Sequence, residues 1–291
     1  MKTQNTSLLQ WKKIDPLIKG AIQEDLGERG DITSDCIIPK DMKGKGLFIV
    51  KEEGIIAGFP VVERVFQLID RHLFVHHNVE EGAVVRKNQI VGDVSGSLRS
   101  ILYGERTTLN ILQRLSGIAT LTSRFVQAVQ GTGVKILDTR KTTPQLRLLE
   151  KYAVQMGGGE SHRFGLYDMI LIKDNHIDAV GGISKAIENC LKNLKNRKNE
   201  IKIEVETRTL DEVREAIRFP IHRILLDNMN VNTIRESVKE ISGNIEIEVS
   251  GNISLDSIIE IAQTGVDFVS VGALTHSPRA LDISLEIKPN K

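Results

Sequence analysis

Asp138-Thr-Arg-Lys-Thr142 sits directly behind a short apolar run, Val134 and Ile136-Leu137. It is followed by Gly157-Gly-Gly-Glu-Ser-His-Arg163 and by Leu171-Ile-Lys-Asp-Asn-His176. Arg140, Lys141, His162, Arg163 and Lys173 all fall where an apolar run stops or a glycine loop turns. Arginine offers a planar fork suited to carboxylates, and lysine a mobile point charge suited to phosphates. A single exposed cation at an element end is commonplace. Five such groups between residues 140 and 173, all at positions of this kind, point instead to a polyanionic ligand. The chain as a whole carries 39 Lys+Arg against 38 Asp+Glu. Its basicity is therefore a local pocket and not a coat.

Acids stand beside these cations. Glu206 and Asp227 each close an apolar run, Ile-Glu-Val-Glu and Ile-Leu-Leu-Asp. In that position they suit Mg²⁺ binding, hydroxyl groups of a sugar or a developing cation, or they are ion-pair partners of the same basic groups. Glu204 shares the face of Glu206 and has no evident task. Val249-Ser-Gly-Asn252 and Ser270-Val-Gly-Ala273 place glycines after two late strands, where α/β barrels commonly hold a phosphate through backbone N–H groups. Gly157-Gly-Gly159 is no Walker A loop, and no Rossmann glycine pattern occurs. His72, His76 and His77 lack metal-ligand spacing across elements, and Ser161-His162 lacks a nucleophile elbow.

These residues need elements to hold them. From Val134 onward the chain alternates strand-like and helix-like segments. The strands read as Lys135–Leu137, Met169–Ile172, Ile201–Val205, Arg223–Leu226, Ile245–Val249 and Phe268–Val271. Helices read as Pro144–Met156, Ile183–Leu194, Leu210–Arg218, Val231–Ile241 and Leu255–Gln263, with Thr209 and Ser254 as N-caps and Gly265 as a stop. This rhythm implies a parallel sheet. Polar residues behind every strand favour a barrel, whose mouth gathers all strand ends. A full barrel takes about 250 residues, so an open or incomplete α/β barrel is expected.

The first hundred residues differ. Leu47–Lys51, Ile55-Ile56-Ala57, Leu73–His77, Val84-Val85 and Ile90–Val94 read as strands around a helix at Pro60–Ile69, an α+β sandwich. An amphipathic helix from about Tyr103 to Gln130 follows, with Gly117 as its weak point. Ala280–Ile287 reads as a strand returning to the first domain. The expected division is residues 1–116 plus 277–291 against residues 117–276.

The chain has 291 residues, 40% hydrophobic and 26% charged, an ordinary globular composition. Near-neutrality argues against nucleic-acid or membrane-surface binding, and no apolar run is long enough to span a bilayer. The start, Met1-Lys-Thr-Gln-Asn-Thr-Ser7, lacks a signal-peptide core. Two distant cysteines, Cys36 and Cys190, suggest reduced thiols and a cytoplasmic location.

Together the motifs carry a likeness. Glu24-Asp-Leu-Gly27 with Gly30-Asp-Ile-Thr33, Gly104-Glu-Arg-Thr-Thr-Leu-Asn110 and Asp138-Thr-Arg-Lys-Thr-Thr-Pro144 come first in order. His162-Arg-Phe-Gly-Leu-Tyr-Asp168, Leu171-Ile-Lys-Asp-Asn-His176, Leu226-Asp-Asn228 and Glu248-Val-Ser-Gly-Asn252 follow. In these the chain resembles the quinolinate phosphoribosyltransferases, and the likeness runs most of its length. Two departures stand out: Glu160-Ser161 where many relatives carry His-Asn, and Gln145 where glycine is usual. Glu160 would either weaken anion binding or pair with His162.

The resemblance implies an N-terminal α+β sandwich followed by an open α/β barrel of the type II phosphoribosyltransferase kind. It implies conversion of quinolinate and PRPP to nicotinate mononucleotide, pyrophosphate and CO₂, in NAD biosynthesis. Arg140, Arg163, His162 and Lys173 would hold the carboxylates, joined by Arg106 from a second subunit of a homodimer; assembly beyond the dimer stays open. Thr139 would line the substrate site and Lys141 would contact pyrophosphate. Glu206 and Asp227 would sit beside the ribose and its Mg²⁺, held mainly through PRPP and water. Ser250, Gly251, Asn252, Val271, Gly272 and Ala273 would cradle the 5′-phosphate. Lys141, Lys173, Glu206 and Asp227 would form the catalytic set. A paralogous phosphoribosyltransferase for another aromatic acid, or a non-catalytic binder of phosphorylated metabolites, remains as an alternative.

Overall fold

The computed structural model describes residues 9–194, 201–241, 243 and 245–289. The opening residues read above for targeting features lie outside that range. In chain order the elements are α1 (Trp11–Leu26), α2 (Ile32–Ile37), β1 (Lys43–Val50), β2 (Gly54–Ile55), α3 (Phe59–Ile69), β3 (Phe74–His77), β4 (Val84–Val85) and β5 (Ile90–Ser97). Next come α4 (Leu98–Ala128), β6 (Lys135–Leu137), α5 (Arg147–Met156), β7 (Ile170–Ile172), α6 (Asp174–Val180), α7 (Ile183–Leu194), β8 (Ile203–Thr207) and α8 (Leu210–Ala216). The chain finishes with β9 (Arg223–Asp227), α9 (Val231–Glu240), β10 (Glu246–Ser250), α10 (Ile258–Ala262), β11 (Phe268–Ser270), α11 (Ala273–His276) and β12 (Ile283–Pro289).

Two compact units result. One takes the chain up to Ser123, Thr142–Gly158 and the stretch from Leu274 onward; the other takes Arg124–Lys141 and Gly159–Ala273. In the first, an antiparallel sheet runs β12-β1-β5-β3. One face buries Phe48, Val50, Val94 and Ile283 against Phe59, Val62 and Phe66 of α3 and Leu98, Ile101 and Leu112 of α4. Phe48 meets Phe59 edge-on at 5.7 Å between ring centres, a geometry worth about 1 kcal/mol beyond burial. The returning strand expected at residues 280–287 is β12, paired to β1 with Phe48 opposite Leu285.

The long helix is continuous despite Gly117. A Cβ there would lie 2.1 Å from the carbonyl oxygen of Arg279. Glycine at that point lets the returning chain pass against the helix, and its cost in helix propensity is the lesser term. The segment Thr142–Gly158 is tied into the same unit. Glu150, fully buried, takes the Arg114 guanidinium and the Thr143 N–H, and the Tyr152 hydroxyl donates to Glu81 at 2.6 Å.

The second unit holds a parallel sheet of order β6-β11-β10-β9-β8-β7. Its first strand pairs with its last, Leu137 opposite Ser270. An open doubly wound sheet would not join those two; a barrel must. The opening lies between β6 and β7, and on its β6 side Glu160 forms an isolated parallel bridge with Leu137. The expected open α/β barrel is therefore the fold. Side chains alternate along the strands. Ile203, Val205, Ile224, Leu226, Ile247, Val249 and Val269 form an apolar face, whereas Glu204, Glu206, Arg223, Asp227, Glu246, Glu248 and Ser270 share the other. A buried sheet face this rich in charge is unusual, and it leads to the site.

Candidate active site

Each strand of the parallel sheet delivers its polar residues at the carboxyl end. Behind β6, the fully buried Asp138 accepts the His162 N–H at 2.9 Å and so draws the glycine loop onto the strand end. Thr139, half-buried, accepts the Lys141 N–H at 3.0 Å, a tight turn that leaves Arg140 and Lys141 exposed. Arg163 is 9% exposed, and burial followed by the positive charge of Arg140 lowers its pKa. Two guanidinium groups that disfavour one another make a site that an anion would relieve. The loop carrying Arg163 is closed by Asp168, which accepts the N–H groups of Phe164 and Gly165. The guanidinium itself donates to the Met169 carbonyl at 3.2 Å.

Below this mouth lies a buried ionic network. His162 Nε2 is 3.0 Å from Glu204 Oε2 and 3.5 Å from Glu248 Oε2, and both carboxylates are fully buried. Glu248 also takes the Arg223 guanidinium at 2.8 Å and the Ser270 hydroxyl, and these contacts with His162 hold its pKa below normal despite burial. Burial and the neighbouring Glu248 charge push Glu204 up to about 7. For His162, burial opposes protonation, yet its bonds to the two acids draw its pKa up to about 9. Against that, the Arg163 N–H donates to His162 Nδ1 at 2.7 Å, which requires that nitrogen unprotonated. With Nδ1 accepting, the ring's proton lies on Nε2, toward Glu204 and Glu248. Ligand atoms of His162, Glu204 and Glu248 lie within 4.8 Å of one another, but Arg223 already supplies the compensating cation.

Further round the rim, Lys173 follows β7 and its Nζ is 3.2 Å from Glu206 Oε2. Glu206 is 6% exposed and sits inside β8 rather than after it, since pairing to β9 extends that strand to Thr207. The ion-pair reading of Glu206 is thus realised toward Lys173. Asp227 closes β9 in register with Ser250 of β10. Between them stands Asn228, to which sequence reasoning gave no role. Its Nδ2 donates to Asp227 at 2.8 Å, its Oδ1 accepts from Asn252 at 3.1 Å, and its N–H bonds the Ser250 carbonyl. Both Asn228 (φ 53°) and Asn252 (φ 50°) are left-handed, and Gly251 (φ 100°) has no room for a Cβ against Asn228. An asparagine straight after a strand-end acid was the available signal, because asparagine tolerates this backbone region. Val271 bonds Leu137 through its N–H, and Gly272 and Ala273 follow, half-buried.

Arg140, Lys141, His162, Arg163, Lys173, Glu206, Asp227, the 250–252 turn and residues 271–273 thus belong to one sheet edge. Arg106 belongs to the first unit, exposed on α4, with no ion-pair partner among the described residues. Glu160 turns to Lys135 at 3.0 Å rather than to His162. Two acids, Glu206 and Asp227, at adjoining strand ends provide the hard oxygen donors that Mg²⁺ takes while keeping water and substrate phosphates, so the residues fit that ion.

Comparison with known proteins gives one consistent result. The family model described as quinolinate phosphoribosyl transferase, N-terminal domain, matches residues 31–116, and the corresponding C-terminal domain model matches 118–286. A quinolinate phosphoribosyltransferase [decarboxylating] 2b, mitochondrial, of Nicotiana tabacum is 45% identical over 286 residues, covering 93% of this chain and 81% of the relative. A probable nicotinate-nucleotide pyrophosphorylase [carboxylating] of Synechocystis is 43% identical, covering 98% and 96%. Among solved structures, NadC from Streptococcus pyogenes superposes with a TM-score of 0.91 at 38% identity, covering 96% of this chain and 98% of that one.

Proposed function

This chain belongs to the quinolinate phosphoribosyltransferase family, and from that premise we infer that it converts quinolinate and PRPP to nicotinate mononucleotide, pyrophosphate and CO₂. It is a pentosyltransferase of NAD biosynthesis. The observation that carries the reading at the residue level is the sheet edge where Arg140, Lys141, Arg163 and Lys173 stand beside Glu206, Asp227 and the 250–252 turn. The rest of a nearly neutral chain offers no comparable reason for that grouping.

In our reading the residues divide the work. Arg140, Arg163 and Lys173 supply the cations for the two ring carboxylates, and His162 stands directly behind Arg163. Ser250, Gly251, Asn252, Val271, Gly272 and Ala273 offer N–H groups to the 5′-phosphate, with Thr139 beside them. As pyrophosphate leaves the anomeric carbon, the ribose acquires oxocarbenium character, which the carboxylates of Glu206 and Asp227 stabilise. Lys141 balances charge on the departing pyrophosphate. Mg²⁺ held by Glu206 and Asp227 through water would add charge neutralisation there. The pyridine nitrogen attacks and becomes cationic; that charge stabilises the electron pair left on the neighbouring ring carbon when its carboxylate departs as CO₂, and the carbon then takes a proton from water. No nucleophilic side chain is required; positioning and electrostatics suffice.

We also infer a homodimer in which Arg106 reaches the partner's site; an exposed arginine on α4 without an ion-pair partner among the described residues supports this. A cytoplasmic location agrees with the unbonded thiols of Cys36 and Cys190. No described helix is long and apolar enough to cross a membrane. Incubation with quinolinate, PRPP and Mg²⁺, read by chromatography, is expected to yield nicotinate mononucleotide and CO₂ in equal amounts. No product, or product from nicotinate alone, would refute the assignment.

A further inference from the structure

The catalytic account leaves one buried acid without a task. Glu204 is fully buried, neither of its carboxylate oxygens has a hydrogen-bond partner of good geometry among the described residues, and its Oε2 stands 3.0 Å from His162 Nε2 as an ion-pair contact. An orphaned buried carboxylate oxygen is costly, so its retention needs a reason. His162, for its part, is poorly placed to touch a ligand through its ring nitrogens. Nε2 faces Glu204 and Glu248, and Nδ1 receives the N–H of Arg163.

We propose that Glu204 and Glu248 are positioning residues that clamp the His162 imidazole, so that the ring fixes Arg163 for a ring carboxylate of the substrate. The proposal rests on the reading of the reaction given above. It follows a continuous line of contacts. Arg223 and Ser270 hold Glu248; Glu204 and Glu248 flank Nε2 at 3.0 and 3.5 Å; Nδ1 holds the Arg163 amide; Asp138 holds the His162 amide. The Arg163 guanidinium is then steadied at the Met169 carbonyl. A guanidinium recognises a carboxylate through a planar pair of bonds, and that geometry tolerates little error. His162 therefore works from behind Arg163, and specificity for an acidic ring depends on two carboxylates that never meet it.

Steady-state kinetics on the full chain test this. Glu204→Leu fills the volume but removes the acceptor, and is expected to raise the quinolinate KM about tenfold or more. The PRPP KM should stay within about twofold, because the contact removed runs from Glu204 to His162 and not to the 250–252 turn. Glu204→Gln keeps a carbonyl oxygen for the Nε2 proton and should remain within about threefold of the parent for both substrates. Equal rises in both KM values, or a Gln variant no better than Leu, would overturn the clamp. Should the Leu variant fail to fold, nitrogen NMR of the unaltered protein at neutral pH decides. One of its seven histidines, assigned by loss of its signal in His162→Gln, must show Nε2 protonated and Nδ1 bare. An Nδ1–H tautomer or an imidazolium there would refute the arrangement. That spectrum is independent of turnover, so absence of nicotinate mononucleotide would fault the assigned reaction and leave the clamp to stand or fall separately.

Discussion

Asn228 joins two strand ends with one side chain, and its chemistry is asymmetric: it gives a hydrogen to Asp227 and accepts one from Asn252. Asn228→Asp keeps the shape and replaces that donor by a second anion facing Asp227. Loss of a bond to a charged group is worth about 1.5–3 kcal/mol. The PRPP KM is therefore expected to rise about ten- to hundredfold, with the quinolinate KM little changed; a two-substrate kinetic grid checks the split. The cations of this site were legible in the sequence because arginines and lysines behind apolar runs have few structural reasons to be there. Asn228, Glu248 and Arg223 were not, because their roles exist only through cross-strand register. Glu246 and Glu204 flank Arg223 from neighbouring strands, an arrangement set by pairing and invisible in any one segment.

At the scale of elements, strand and helix types followed from periodicity, while their edges followed from local backbone demands. The helix expected from Pro144 begins at Arg147 because Gln145 adopts φ 68°. The resemblance leads one to expect glycine at this position, and a left-handed φ is a conformational reason for it. Gln145→Gly should stabilise the protein by about 1 kcal/mol, read as a higher midpoint of thermal unfolding. Gly117→Ala is expected to act oppositely. It forces a methyl to within 2.1 Å of the Arg279 carbonyl oxygen, so a loss of about 1–3 kcal/mol follows in the same melt. Helix α1 escaped sequence reading since its inward stripe is narrow, with Ile14 and Ile18 its buried residues and Pro16 within it. Helix α6 was hidden inside a motif read for chemistry, Lys173 to His176, whose His176 ring accepts the Lys173 N–H.

For the whole molecule, near-neutrality with a concentrated cationic edge suits a protein that must grip two anions without attracting nucleic acid. If Arg106 completes the site of a second copy, Arg106→Ala and Lys173→Ala will each be nearly inactive. Mixed under conditions of subunit exchange, they should recover about a quarter of parental activity, since half the dimers would carry one intact site. Exchange proven by mass spectrometry with no recovery would show that Arg106 acts within its own chain or not at all. The closing strand of the first sheet has a different consequence. Seven residue pairs join β1 to β12, with the entire parallel barrel encoded between them. During translation β1 must wait, its outer hydrogen-bonding edge uncovered, until the ribosome has released residue 289. Such an edge invites mispairing with neighbouring chains, which makes the interval of synthesis the period when this protein most needs a chaperone.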